Sequence, residues 1–292
     1  MSEPNVTVDF SLILGTINRV EELSQFLDAL DTQTLRNFEL LIMDQNSDDR
    51  LAHLLSTHER QYRIWHLRSP IGLSRARNLG LQRAKGNLVG FPDDDCWYHP
   101  DLLERVRTFF EAHPTADAVS GSCIDASGTI LRRGPHYAGW ITKYNLFHRV
   151  HSFTVFFRRG ELSRIGPFDE TMGVGSGTPW GSAEDHDYTA RGIEAGLRIY
   201  YDPSIGICHP DAPSAFNAKE IQKEFGYSRG SGRFIAKNGY PTWYLGYRVL
   251  RSLGGALIGL CRLDLAKVQY HWTAVIGRIE GWWSIYGPGS SV

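Results

Sequence analysis

Apolar and polar positions along this chain switch between a period of two and a period near 3.6. Val6 to Leu14 alternates and then runs apolar, the pattern of a central parallel strand, and Gly15-Thr16-Ile17-Asn18-Arg19 is the turn that leaves it. From Val20 to Leu30 the residues Leu23, Phe26, Leu27 and Leu30 recur at helical spacing. Phe38 to Met43 is a second apolar strand ending in Asp44-Gln45-Asn46-Ser47-Asp48-Asp49, followed by a helix over Leu51 to His58 and a third strand at Arg63 to Leu67. Strands at Asn87 to Phe91, Ala116 to Ile124 and His151 to Arg158 alternate with helices at Leu102 to Phe110 and Gly160 to Ile165. Units of this size in this order predict an α/β fold with a doubly wound, Rossmann-like, mostly parallel sheet flanked by helices.

Two segments resist a periodic reading. Asp125 to Tyr144 is rich in Gly and basic residues and is expected as loop. Met172 to Ser182 is a long glycine loop carrying Trp180, and it runs into Ala183-Glu184-Asp185-His186-Asp187, the start of a helix through Ala195. Long glycine loops in compact domains are functional or disordered, so a flexible lid over a site is expected here. Asp185 has a plainer role open to it as a helix N-cap. Short strands at Leu197 to Tyr201 and Ile205 to Cys208 close on His209-Pro210-Asp211. Helices then follow over Lys219 to Lys237, Pro241 to Leu263 and Leu265 to Tyr286, giving an α/β domain over 1–216 and a helical extension over 217–292.

Charge changes the picture of the extension. From Asn217 onward there are ten Lys or Arg against four Asp or Glu, leaving 21 against 28 before it. Trp243, Tyr244, Tyr247, Trp272, Trp282 and Trp283 lie among Arg233, Lys237, Arg248, Arg251, Arg262, Lys267 and Arg278. Basic and aromatic residues mixed on amphipathic helices suit an interfacial membrane contact, the plainer alternative being packing on the sheet. The acidic body speaks against nucleic acid as a partner. No apolar run approaches the ~20 residues of a membrane-spanning helix, and Met1 to Asn5 lacks the features of a signal peptide. The four cysteines form no CxxC pair, and a cytoplasmic chain, peripheral at most on the inner face of the membrane, is expected.

The candidate chemistry centres on Asp93-Asp94-Asp95, between the apolar Phe91 and Trp97 at the carboxyl end of a predicted strand. Adjacent carboxylates repel one another, so a divalent cation with hard oxygen ligands, Mg²⁺ or Mn²⁺, accounts for them; a solvated acidic loop is the alternative. Ligands of doubly wound sheets sit at the carboxyl ends of the strands, where Thr16 to Arg19 and Asp44 to Asp49 also fall. Arg75 and Arg77 occupy the first turn of a helix opened by Gly72, a place that suits an anion such as phosphate, or paired surface carboxylates. His209 is open to both a structural and a ligating role.

These motifs, Leu12 to Arg19, Gln33 to Asp44, Gly72 to Asn78, Asp93 to Asp95 and Glu184-Asp185, resemble in order and spacing those of the family 2 glycosyltransferases, over roughly residues 7–211. The extension resembles, more loosely, the C-terminal helices of bacterial polysaccharide-assembly members. The resemblance implies a GT-A fold, a nucleoside-diphosphate sugar donor and inversion at the anomeric carbon. It implies that Thr16, Asn18, Asp44, Arg75, Arg77, Asn78 and Asp93 line the nucleotide-sugar pocket. Asp94 or Asp95, with His209, would hold Mg²⁺ or Mn²⁺, with Trp97 setting the frame that puts the metal-binding Asp on Asp94. Asp185 corresponds to the general base, and Glu184 and Trp180 to the acceptor and lid side. Ile17 stands where many members stack the base on an aromatic, and Gln45 where many have a second acid, leaving UDP, dTDP and GDP sugars open as donors.

The implied reaction is a metal-assisted single displacement to a saccharide acceptor, lipid-linked in surface polysaccharide synthesis. Two rivals predict differently. A nucleotidyltransferase releases pyrophosphate and usually carries a glycine-rich phosphate loop after the first strand, which Gly15 to Arg19 is too poor in glycine to be. A non-catalytic sugar- or nucleotide-binding relative would have lost one of the two acidic motifs, and both are present.

Overall fold

The computed structural model describes residues 8–56, 60–131, 134–210 and 216–286. Met1 to Asn5, read above for a leader, lie outside the described residues, as do Val6, His58 and Asp211 at the edges of the expected elements. The chain divides into two compact units. One comprises the residues up to Ile71 with Arg75–Phe168 and Tyr188–Asp211; the other comprises Gly72–Ser74, Asp169–Asp187 and the residues from Ala212 onward.

The first unit is built on a nine-stranded sheet. Its strands are β1 (Phe10–Thr16), β2 (Phe38–Asp44), β3 (Arg63–Arg68), β4 (Leu88–Gly90), β5 (Trp97–Tyr98), β6 (Ala118–Ile124), β7 (Gly139–Trp140), β8 (Val155–Arg158) and β9 (Ile199–Cys208). They lie in the order β3-β2-β1-β4-β8-β6-β9-β5, with β7 also against β9. The helices α1 (Glu21–Asp31), α2 (Ala52–Ser56), α3 (Leu73–Leu81), α4 (Leu102–Ala112), α5 (Leu162–Ile165) and α6 (Glu184–Glu194) connect them in the α/β manner.

β2 is buried along its whole length, as a strand covered on both faces must be. Leu23, Phe26, Leu27 and Leu30 bring the apolar stripe of α1 onto the core residues Leu12, Leu14, Leu40 and Ile42. The half carrying β1 to β4 is parallel, as the sequence predicts, whereas β8 runs antiparallel to both β4 and β6, so the whole sheet is mixed. The two expected C-terminal strands are one strand, β9, whose register against β6 shifts between Ser120 and Ser122. Gly121 fills that irregularity, because a Cβ there would lie 2.0 Å from the Ile205 carbonyl oxygen. The expected loop at Asp125 to Tyr144 contains β7, and the strand expected from His151 starts after a 3-10 turn at Ser152–Thr154.

Register decides what meets at the carboxyl end of the sheet. Thr16 pairs with Asp44 and Asp44 with Arg68, so the last residues of β1, β2 and β3 stand side by side. An isolated parallel bridge between Gly15 and Asp93 carries the acidic stretch beyond the end of β4 to the same edge.

The second unit contains α7 (Ala218–Lys237), α8 (Thr242–Cys261) and α9 (Leu265–Tyr286). α7 and α9 touch backbone to backbone through small residues: a Cβ on Gly232 would come 2.1 Å from the Arg278 oxygen, and one on Gly281 1.9 Å from that of Arg229. Arg229 on Glu280 flanks this seam, and Arg278 donates to Ser252 at 2.6 Å to tie α9 to α8.

The glycine loop expected to be flexible is laced internally within this unit. Met172 accepts the Ser74 hydroxyl (2.8 Å), Val174 the Leu73 amide (2.9 Å) and Trp180 the Gly173 amide (2.9 Å), while Thr178 donates to the Thr171 carbonyl (2.6 Å). Lys237 pins its base by reaching Asp169 at 2.6 Å and the buried Asp187 at 3.0 Å. These bonds satisfy backbone groups that a glycine-rich segment would otherwise leave to water.

Candidate active site

Strand ends, rather than a single loop, assemble the first cluster. A turn closes from the Cys96 amide to the Asp93 carbonyl at 3.3 Å, and the three consecutive carboxylates along it differ in their partners. Asp94 turns toward β1, where it accepts the Thr16 hydroxyl at 2.7 Å and one Arg19 nitrogen at 2.8 Å. Burial pushes its carboxyl up to about 6, against the lowering influence of Arg19 and Thr16. Asp95 receives the same Arg19 nitrogen at 2.5 Å and faces His209 Nε2 at 3.4 Å. Burial raises its pKa too, but His209 and Arg19 outweigh that and hold it at about 2.

Asp93, Asp95 and His209 each offer a ligand atom, and these atoms lie within 4.8 Å of one another. The structure thus groups Asp93, expected on the nucleotide side, with Asp95 and His209, while Asp94 is engaged by Thr16 and Arg19. The Asp-x-Asp spacing falls on Asp93 and Asp95 rather than on the frame set by Trp97. Two carboxylates and an imidazole are a donor set that fits Mn²⁺ or Mg²⁺. The His209 ring is oriented for it: Nδ1 lies 2.7 Å from the Pro210 carbonyl and the ring stacks on Phe153 at 4.9 Å, directing Nε2 to the cluster.

Arg77 stands behind this cluster, almost fully buried, its guanidinium over Phe168 (5.5 Å) and Phe91 (5.9 Å) and 3.4 Å from Asp93. Ser152 lies at the same distance from that carboxylate. Arg75, on the other side of α3, is half-buried and donates to the Ile71 carbonyl at 2.9 Å. Asn78 is turned inward, clamping the Phe168 backbone with both amide atoms at 2.7 and 3.0 Å, which makes it a brace for the chain behind the site.

A second group lies at the ends of β1, β2 and β3. Asp44 is buried and accepts from the Asn46 amide N–H (2.9 Å), the Asn46 side chain (2.7 Å) and Arg68 (2.8 Å), with His66 Nε2 at 2.8 Å. Burial works to raise its pKa, and these donors together bring it below the ordinary value. Asn18 adopts φ 59°, a left-handed conformation that Asn tolerates, and its backbone N–H donates to Asn46 at 2.7 Å while Arg50 donates to its side chain at 2.8 Å. The sequence reading held Arg19 and Asn46 only as members of the polar turns at the strand ends, and it missed His66 and Arg68. The two from β3 carry a visible signal, polar residues alternating at the end of a strand whose neighbours end in acids.

Asp185 and Glu184 begin α6, and the turn into it passes through Ala183 at φ 67°, a costly backbone for a residue with a Cβ. Asp185 Oδ1 accepts the His186 amide N–H at 2.7 Å and lies 2.7 Å from His186 Nδ1, so its carboxylate is held by its own neighbour. Glu184 is buried against Gly173, whose hydrogen leaves the room a Cβ would take at 3.0 Å from the carboxylate. Trp180 is half-buried with the Arg233 guanidinium over its ring at 5.0 Å.

Comparison with known proteins gives the family and the fold. The family described as glycosyl transferase family 2 matches residues 11–165. A PGL/p-HBAD biosynthesis glycosyltransferase of Mycobacterium bovis is 32% identical over 166 residues, 55% of this chain and 63% of that protein, so the match spans less than two thirds of that relative. Among solved structures, the mannosyltransferase PcManGT from Pyrobaculum calidifontis, in complex with GDP-Man and Mn2+, superposes with a TM-score of 0.61 at 17% identity, covering 95% of this chain and 88% of that one. S. aureus TarS 1-349 in complex with UDP gives 0.58 at 17% identity, covering 94% and 92%. At such identities the structural likeness establishes the fold, which is GT-A. The family match extends over more than half of the sequence, and the chain belongs to glycosyl transferase family 2.

Proposed function

We propose that this chain is an inverting glycosyltransferase that moves a sugar from a nucleoside-diphosphate donor to a saccharide acceptor. The observation that carries the reading is the convergence of Asp93, Asp95 and His209 at the strand ends of a family 2 chain. Asp93, Asp95 and His209 would hold a Mg²⁺ or Mn²⁺ ion, and the chemistry it would supply is neutralisation of the charge on a departing diphosphate. Arg77 holds Asp93 in place from behind, and Thr16 holds Asp94. The ends of β1 and β2, with Asn18, Asp44 and Asn46, form the nucleotide side, and Arg75 near the start of α3 serves the phosphates.

Asp185 takes the proton of the acceptor hydroxyl as it attacks, a role worth about 10²–10⁴-fold in rate. His186 fixes the orientation of that carboxylate. The loop carrying Trp180, with Glu184 beneath it, shields the acceptor side from water, and Trp180 offers a face on which a sugar ring stacks. In this reading residues 1–216 carry the catalysis.

Residues 217–292 bring the enzyme to a membrane, where the saccharide acceptor is carried on a lipid in surface polysaccharide synthesis on the cytoplasmic side. No helix of the described residues is long and apolar enough to cross a bilayer. Yet α8 exposes Trp243, Tyr247, Leu250 and Leu257, and α9 exposes Trp272, Ile276, Ile279 and Trp283, at spacings that gather each set on one helix face. Arg251 and Arg262 are exposed near them, which suits anionic headgroups.

The experiment is a melting-temperature panel with UDP, dTDP and GDP, each with and without Mn²⁺. A metal-dependent rise with one nucleotide supports the donor site and names its base. No rise with any of them would move the non-catalytic reading to the front, and release of pyrophosphate instead of a nucleoside diphosphate would favour a nucleotidyltransferase.

A further inference from the structure

Arg19 occupies an unusual position in the acidic cluster. One of its terminal nitrogens bridges Asp94 Oδ1 at 2.8 Å and Asp95 Oδ2 at 2.5 Å, so a single guanidinium stands between two carboxylates that would otherwise repel each other. Its other nitrogens have no protein partner among the described residues. The contrast with Arg77 decides which cation can move: the Arg77 side chain is 1% exposed and caged by two rings, whereas that of Arg19 is 42% exposed. Arg19 also leaves the turn after β1 next to Asn18, on the same edge as the nucleotide side of the site.

We propose that Arg19 is the resident counter-cation of the metal site, and that it exchanges partners from Asp95 to the donor's diphosphate when a divalent cation is loaded. The inference rests on the donor-site reading above. Asp95 is shared between Arg19 and the trio Asp93, Asp95 and His209, so a divalent ion on that trio meets the guanidinium at close range. Like charges at that separation repel strongly. A long, half-exposed side chain with unused donors relieves the repulsion by swinging outward, and a diphosphate receives it through the planar fork that suits phosphate oxygens. Arg19 therefore opposes the cation when no nucleotide is present and supports it when one is. The two ligands bind cooperatively through this side chain, without any change of fold.

The test is calorimetric titration of Mn²⁺ into the full chain and into Arg19→Gln and Arg19→Lys, first alone and then with UDP, dTDP or GDP at saturation. Arg19→Gln is expected to bind Mn²⁺ alone about tenfold more tightly than the unsubstituted chain, the scale of removing one nearby charge. With the nucleotide present the order is expected to invert. Arg19→Lys keeps the charge but not the fork, so it is expected to bind Mn²⁺ alone like the unsubstituted chain while losing part of the gain the nucleotide confers. If Arg19→Gln is too unstable to titrate, the lysine variant decides: a full nucleotide gain in Arg19→Lys overturns the exchange of partners. Equal Mn²⁺ affinities in all three proteins, with and without nucleotide, overturn the inference while leaving the donor site standing. Failure of the unsubstituted chain to bind Mn²⁺ under any condition overturns the donor-site reading, and this inference with it.

Discussion

Asp94 accepts the Thr16 hydroxyl at 2.7 Å, a bond that ties the last residue of β1 to the middle of the acidic stretch 78 positions later. The pair is buried on both sides, so it contributes geometry and stability before any ligand arrives. Thr16→Val preserves the shape and leaves a buried carboxylate short of a donor. Such a loss costs about 1–3 kcal/mol, and chemical denaturation should show it as a lower midpoint at unchanged slope.

The same bond separates the roles of the three acids. Asp94→Asn keeps an acceptor for Thr16 and leaves the trio of Asp93, Asp95 and His209 in place, so Mn²⁺ affinity is expected within a few-fold of the unsubstituted value. His209→Ala removes one of three ligands and should lower it about tenfold or more, the order seen when a site loses a supporting contact. Equal losses for the two variants would return Asp94 to the ligand set.

Most of the framework was legible in the sequence because burial on both faces leaves strands no choice of composition. Phe38 to Met43 is apolar at almost every position, and it is a strand buried throughout. The stripe Leu23, Phe26, Leu27 and Leu30 is likewise the buried face of α1. Direction was not legible: nothing in Val155 to Arg158 distinguishes a parallel from an antiparallel neighbour, and the mixed half of the sheet follows from chain crossings that no local pattern encodes. In the site, residue types were legible and partners were not. Asp93 to Asp95 stand out as candidate cation ligands, but which two of three consecutive acids converge depends on the turn at Cys96. Arg77 and Asn78 are both expected in the nucleotide-sugar pocket, while in the structure one meets Asp93 and the other the Phe168 backbone. Arg19 passed as a turn residue because its partners lie more than 70 positions away.

Asp185 carries the prediction about chemistry. Asp185→Asn retains size and an oxygen for His186 but cannot take a proton, so turnover should fall about 10²–10⁴-fold while nucleotide binding persists. Near-normal transfer by this variant would remove Asp185 from the mechanism.

The base of the glycine loop responds to acid. Asp169 is partly buried, which raises its pKa, but its bonds from Lys237 and Thr171 outweigh burial and hold it at about 2. A folded value below the ordinary 3.8 means the pair stabilises the fold fully above about pH 4, and that contribution is lost as pH falls from about 4 toward 2. Lys237→Met should flatten the loss of stability across that window. At neutral pH it should destabilise by about 3 kcal/mol, because the buried Asp187 carboxylate loses the ammonium partner it has at 3.0 Å.

Flotation tests the membrane reading. Vesicles containing phosphatidylserine at low salt are expected to carry the protein upward, and the double variant Trp243→Gln, Trp283→Gln should stay at the bottom of the gradient with an unchanged melting temperature. A chain that ignores anionic vesicles contradicts the assignment of residues 217–292.

The most direct measurement is calorimetric titration of the nucleoside diphosphate selected by the melting panel, in Mn²⁺ and in EDTA, into the unsubstituted chain and Asp95→Ala. Expected is tight binding in Mn²⁺ that weakens about tenfold or more in EDTA and, equally, in Asp95→Ala, because both changes leave the diphosphate without its cation. Binding of the same strength in EDTA, or in Asp95→Ala with Mn²⁺ present, would contradict a cation held by Asp93, Asp95 and His209 as the centre of this site.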